Sequence, residues 1–146
     1  MSQATIEAGI VATLITHADF SADNTKLYDR RPLGKGLARV VIVSYNQHRT
    51  EQLTLSMERW IWTYNIDVMV PWRGELTELD TRVGTETQKV VDTLAKYPKL
   101  GAVAGIQRTD LTVSNTPDLI QESKGGYRGR RHFLEIQEIV NPGRLE

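Results

Sequence analysis

Residues Glu58–Trp72 read ERWIWTYNIDVMVPW, and the period of this stretch decides the fold. Trp60, Trp62, Tyr64, Ile66, Val68 and Val70 share one parity, so an extended chain of period two places these large apolar groups on one face. That face has to be buried. Arg59, Ile61, Thr63, Asn65, Asp67 and Met69 occupy the other parity, a mixed surface that suits a partner or a wet interface better than a second core. Strands of globular domains usually run about five or six residues, so a strand of this length is expected to reach past its own domain. The stretch points to assembly before catalysis.

Upstream, the buried partner of this strand is legible in LARVVIVSY, Leu37 to Tyr45, which is β-branched and almost wholly apolar. A polar break is expected at Asn46 to Thr50. Leu53, Leu55 and Met57 then alternate on odd parity, so a bulge or corner near Met57 to Arg59 is expected to switch the register. Before all this, Ile6, Ile10 and Leu14, flanked by Ala4, Val11 and Ile15, repeat at helical spacing, with Ser2 placed to cap the first turn. Residues 17–36 are rich in Asp, Asn, Ser, Pro and Gly and read as a long connection.

Downstream of Pro71 the period changes. Leu76, Leu79, Val83, Thr87, Val90, Val91 and Leu94 keep helical spacing, Thr77 and Asp80 are set like a capping box, and Pro98 closes the far end. Gly84 within this helix costs about 1 kcal/mol relative to alanine, a loss that close packing on the sheet would explain. Two more strands are expected at Ala102 to Val113 and Arg131 to Val140, the latter with His132, Leu134, Ile136, Glu138 and Val140 on one parity. The residues between, 115–130, are expected to form a mobile loop. The result is a single α+β domain over 1–146, a two-layer arrangement of an antiparallel or mixed β-sheet covered by two helices, with long loops.

Composition bounds function more than it assigns it. The chain has 146 residues and no cysteine, which removes disulfides, thiolate catalysis and cysteine-based metal sites. Lys plus Arg and Asp plus Glu are 18 each, so the formal net charge is zero and there is no global pull toward nucleic acid or an anionic membrane. No apolar run approaches a membrane span of roughly 20 residues, and the N-terminus lacks a signal-peptide pattern, so a soluble protein made inside the cell is expected.

The search for chemistry returns structural readings. His17, His48 and His132 have no partner at metal-ligating spacing, His17 closing a helix and the other two lying in or beside loops. Glu75, Glu78 and Asp80 read as an acidic first helical turn. The glycines of 34–36 and 125–129 lack the strand-to-helix context of a phosphate cradle and read as turn residues. Tyr127–Phe133, YRGRRHF, interleaves basic and aromatic residues as a nucleic-acid contact requires, and with Lys124 it makes Arg128, Arg130 and Arg131 candidates to face DNA or a partner. The other reading is a solvated hairpin base whose arginines pair with nearby acids. No cofactor, metal or catalytic residue is expected, and the chain does not read as an enzyme.

The order of an N-terminal helix, a basic linker LYDRRPLGKG, a buried strand, the long aromatic strand, a long helix and a closing strand pair resembles the tail terminator or tail-completion proteins of long-tailed bacteriophages. The likeness covers nearly the whole chain. It implies a virion protein, assembled in the host cytoplasm, that forms a homo-oligomeric ring, a hexamer, at the head-proximal end of the tail. Such a ring ends polymerisation of the tail tube protein and meets the head-completion or neck protein. Arg30, Arg31, Lys35, Arg59 and Asp67 are then candidates for the subunit interface. A head-tail connector or neck protein of the same virion, and a nucleic-acid-binding module, remain alternatives.

Overall fold

The computed structural model describes residues 3–27, 37–72, 75–100, 106–112 and 127–140. Among these residues two helices and five strands follow in the order α1 (Gln3–Leu14), β1 (Thr25–Leu27), β2 (Val40–Gln52), β3 (Glu58–Pro71), α2 (Leu76–Lys96), β4 (Ile106–Thr112) and β5 (Tyr127–Val140). The strands make one mixed sheet in the order β1-β2-β3-β5-β4, with β1 parallel to β2 and every other pair antiparallel. This is the α+β class expected from the sequence.

The even parity of β3 carries the core. Trp62, Tyr64, Ile66 and Val68 pack with Ile6, Ile10 and Leu14 of α1, Val90 and Leu94 of α2, Val41 and Val43 of β2, and Leu134 and Ile136 of β5. Val70 continues the same face onto Leu79 and Val83 near the start of α2. Both helices therefore lie against one side of the sheet, because each has an apolar stripe and the even face is where apolar area is concentrated.

The other face of β3 departs from expectation. Ile61, Asp67 and Met69 are buried, and Met69 joins Val40, Ile42 and Tyr127 in a second apolar cluster. Only Arg59, Thr63 and Asn65 stay half-buried. The reason is the central place of β3: at the Val40↔Met69 end β2 is apolar on both faces, and Val40 and Ile42 with Tyr127 of β5 and Leu37 gather around Met69 on this face.

Several expected boundaries move. Asn46 to Thr50 is no break; β2 runs through it and stays paired with β3 as far as Gln52↔Glu58, with one register slip between Tyr45 and Gln47. Polar residues are tolerated there because Tyr45, Asn46, Gln47, Arg49 and Thr50 are exposed. The parity switch is thus a bulge at Asn46 rather than a corner at Met57 to Arg59. Leu53 to Met57 form the hairpin turn, where the Leu53 and Thr54 amides donate to the Met57 carbonyl at 2.9 and 3.1 Å.

Within the expected connection 17–36 lies β1, set beside Val41 to Val43. Tyr127 to Arg130 belong to β5 rather than to a loop, since β3 offers a backbone ladder as far as Pro71↔Tyr127. Helix α2 is capped at Glu75 without a side-chain bond, so Thr77 is inside the helix and accepts at its carbonyl from the Thr81 hydroxyl, 2.9 Å. Ser2, residues 101–105 and residues 113–126 lie outside the described residues.

Gly84 also differs from expectation: a Cβ built there meets nothing within 4 Å, so no close packing accounts for the glycine. Gly84→Ala is expected to stabilise the fold by about 1 kcal/mol, the helix-propensity difference. A thermal melt checks it; a lowered midpoint would place a neighbour over this position.

Candidate assembly surface

The charged residues divide into those the fold uses internally and those it leaves at the rim. Asp67 stands opposite Arg131 in the β3–β5 ladder. The wholly buried Asp67 carboxylate accepts from Arg131 Nε at 2.8 Å and Nη2 at 3.0 Å, a bidentate fork. Arg128 Nε donates to Asp80 Oδ1 at 2.8 Å, and its guanidinium lies over the Trp72 ring, 5.9 Å from the centroid. This ties the start of β5 to α2 just beyond its first turn, where Glu78 is the only acid, so Asp80 anchors a strand rather than offsetting the helix dipole. Arg130 Nε is buried with no hydrogen-bond partner among the described residues.

Of the residues expected to face DNA or a partner, then, Arg128 and Arg131 each hold an aspartate of their own chain. An arginine held in this way has less to offer a phosphate than a free one. Arg59 is at the rim, half-exposed, and reaches Glu51 directly across the β2–β3 ladder at 3.4 Å. Such an exposed pair contributes at most about 1 kcal/mol. Arg30, Arg31, Lys35 and Lys124 lie outside the described residues.

A second network joins the segment after α1 to α2. Arg39 Nε donates to Glu86 Oε2 at 2.7 Å, while Lys89 Nζ bridges Glu86 Oε1 at 3.0 Å and Asp19 Oδ2 at 2.9 Å. The hydrogen bond and charge of Lys89 hold the Asp19 carboxyl below its ordinary range, and Asp19 followed by Glu86 raises Lys89. These residues clamp elements together.

The histidines read from the sequence as loop residues are in strands. His48 of β2 stacks on Trp62 with ring centroids 4.2 Å apart and meets Trp60 edge-on at 5.1 Å. Tyr45 adds an edge contact to Trp62. The indoles are oriented by carboxylates: Trp62 Nε1 donates to Glu138 at 3.0 Å and Trp60 Nε1 to Glu58 at 2.9 Å. An indole N–H that is buried needs an acceptor, and that need was the signal that could have singled out Glu138, an acid on the apolar parity of β5.

His132 is fully buried between β5 and α2, with Nε2 3.2 Å from the Thr87 hydroxyl. Burial, followed by the positive charge of Arg130, lowers its pKa, with Asp67 opposing. The folded chain thus binds this proton less readily than the unfolded chain, whose histidine titrates near 6.5. Stability is expected to be complete above about pH 6.5 and to fall as pH drops below it. Urea midpoints measured between pH 7.5 and 5 check this, and His132→Gln should flatten the slope; an unchanged slope would assign the titration elsewhere.

At the end of the hairpin the fold leaves apolar side chains in water. Leu55 is fully exposed, and Leu53 and Met57 flank it at 38 % each. Phe133 and Ile139 are exposed on the face of β5 turned from the helices. Among the described residues there is no group of three His, Asp or Glu side chains able to hold a metal ion. No helix among them is long and apolar enough to cross a membrane. No protein-family model matches the chain, and no curated protein matches it.

Proposed function

We propose that this chain is a structural subunit that closes into a ring on the tail tube of a long-tailed bacteriophage, ends tube growth and presents the surface to which the head is joined. The observation that carries this reading is the ribbon of β2, β3 and β5, 13, 14 and 14 residues long, whose hairpin tip exposes Leu53, Leu55 and Met57. Strands of that length exceed what one small domain requires. Apolar side chains grouped at a projecting tip are surface that assembly, rather than folding, buries. The internal use of Arg128 and Arg131 weighs against a nucleic-acid module. The likeness in element order to tail-completion proteins supplies the ring and its six-fold symmetry.

The test is to assemble tails with and without the protein and to measure their length and head attachment by electron microscopy. Loss of length control, with heads unattached, is the expected result. Tails of normal length bearing heads would end this reading. Tails of normal length that fail only to join heads would favour the neck or connector role, which cross-linking to the portal rather than to the tube would then identify.

A further inference from the structure

We infer that neighbouring subunits join edge to edge into one continuous sheet, with Gln47–Glu51 of β2 paired antiparallel to Arg108–Thr112 of β4 in a second copy of the chain. This rests on the ring proposed above and assigns its interface. These are the two edges that no further strand covers among the described residues. β1 lies beside only Val41 to Val43, so from Ser44 onward β2 has no strand on its outer side among the described residues. Among the described residues β4 ends the sheet at the opposite edge. An edge with unpaired N–H and C=O groups is a template for another strand.

Orientation agrees. β4, β5, β3 and β2 alternate in direction across the sheet. A copy added by rotation about a ring axis keeps its helices on the same side and brings its β4 antiparallel to β2. Such a contact is heterologous and closes when the rotation closes. Each edge also carries one irregularity, between Tyr45 and Gln47 in β2 and between Ile106 and Arg108 in β4. The regular stretches that begin after them are the ones matched here.

Charge selects the register. Arg49 and Glu51 stand opposite Ile61 and Arg59, on the face turned from the helices. There Arg49 lies 3.6 Å from Glu51 and 3.9 Å from Glu135, and Glu51 3.4 Å from Arg59, exposed pairs weak enough for the charges of a neighbouring copy to compete with. Arg108 and Asp110 stand opposite Gln137 and Glu135, positions of that same face. The antiparallel register that sets Arg49 against Asp110 also sets Glu51 against Arg108. A slip of two residues one way opposes Arg49 to Arg108, and a slip the other way opposes Glu51 to Asp110. Parallel pairing in line opposes like charges at both positions. Opposite charges across a strand pair favour it and like charges oppose it.

The chain has no cysteine, so engineered thiols report this contact without background. Thr50 and Thr109 fall opposite each other between the two charge pairs. The full chain carrying Thr50→Cys and Thr109→Cys is expected to give, on mild oxidation, a ladder of covalent multimers, and neither single variant should give one. As a second measurement, Arg49→Asp should weaken self-association about fivefold per interface, and Arg49→Asp with Asp110→Arg should restore it. A covalent dimer from Thr50→Cys alone would replace this interface with a symmetric β2–β2 pair. Assemblies of ring mass in solution that show neither the ladder nor the charge rescue would overturn the interface while leaving the ring intact. A chain that stays monomeric without cross-links at every concentration also overturns the interface, and the tail-length experiment decides the ring independently.

Discussion

Replacing Trp62 with alanine is expected to destabilise the fold by about 3 to 5 kcal/mol, the range for removing a buried aromatic side chain. The side chain is only 7 % exposed and sits where the core beneath the helices passes into the aromatic cluster of the hairpin. Three interactions go together. The apolar area facing Leu134 and Ile136 is lost, His48 loses the ring on which it stacks, and Glu138 loses the indole donor at 3.0 Å. The last is costly because Glu138 is itself buried, where a lost hydrogen bond is not replaced by water. Trp62→Phe separates the terms: it keeps most of the area and removes the donor, so its cost should be about 1 to 3 kcal/mol. Urea denaturation of both variants measures them. A change for Trp62→Ala within the roughly 0.5 kcal/mol of a surface substitution would place this parity outside the core.

The even parity of β3 was readable because six large apolar side chains at period two leave a single arrangement that buries them. Helix α2 was readable for the same reason at period 3.6. What escaped was set by neighbours rather than by local pattern. The stretch Asn46 to Gln52 is polar, and it is a strand only because β3 offers a ladder for it to complete. Tyr127 to Arg130 looks like a loop for similar reasons.

Burial of Asp67 and Met69 on the second face also depends on what lies alongside, namely Ile42 opposite Asp67 and Val40 opposite Met69. The charge pairs were the least legible. Arg128 and Asp80 are far apart in the chain, and only the packing of α2 on β5 brings them to 2.8 Å. Exposure of Leu55 was equally hidden, because in sequence it continues an alternation that in space ends in a turn.

Gly129→Ala should destabilise the fold by about 3 kcal/mol, the upper end of the usual cost of overpacking. The sequence invites a different view, since Gly129 sits in a run that resembles a turn. In the fold it is buried in β5 directly opposite Met69 of the central strand. A Cβ at Gly129 would be driven into the carbonyl oxygen of Val68 and the Cγ of Met69, and would stand 3.0 Å from the Met69 Cα. Met69 Cγ belongs to a flexible side chain and can retreat. The carbonyl cannot, because β3 is held by ladders on both sides.

The glycine is therefore required by a close approach of two backbones in mid-sheet. Combining Gly129→Ala with Met69→Ala distinguishes the two contacts. If the side chain were the obstacle, the double variant would cost no more than Met69→Ala alone. With the backbone as the obstacle, most of the penalty of Gly129→Ala should persist on top of it. Chemical denaturation of the three variants as a cycle measures this, and additivity within about 0.5 kcal/mol is the expected result. Full recovery in the double variant would show that β3 and β5 have room to part at this point.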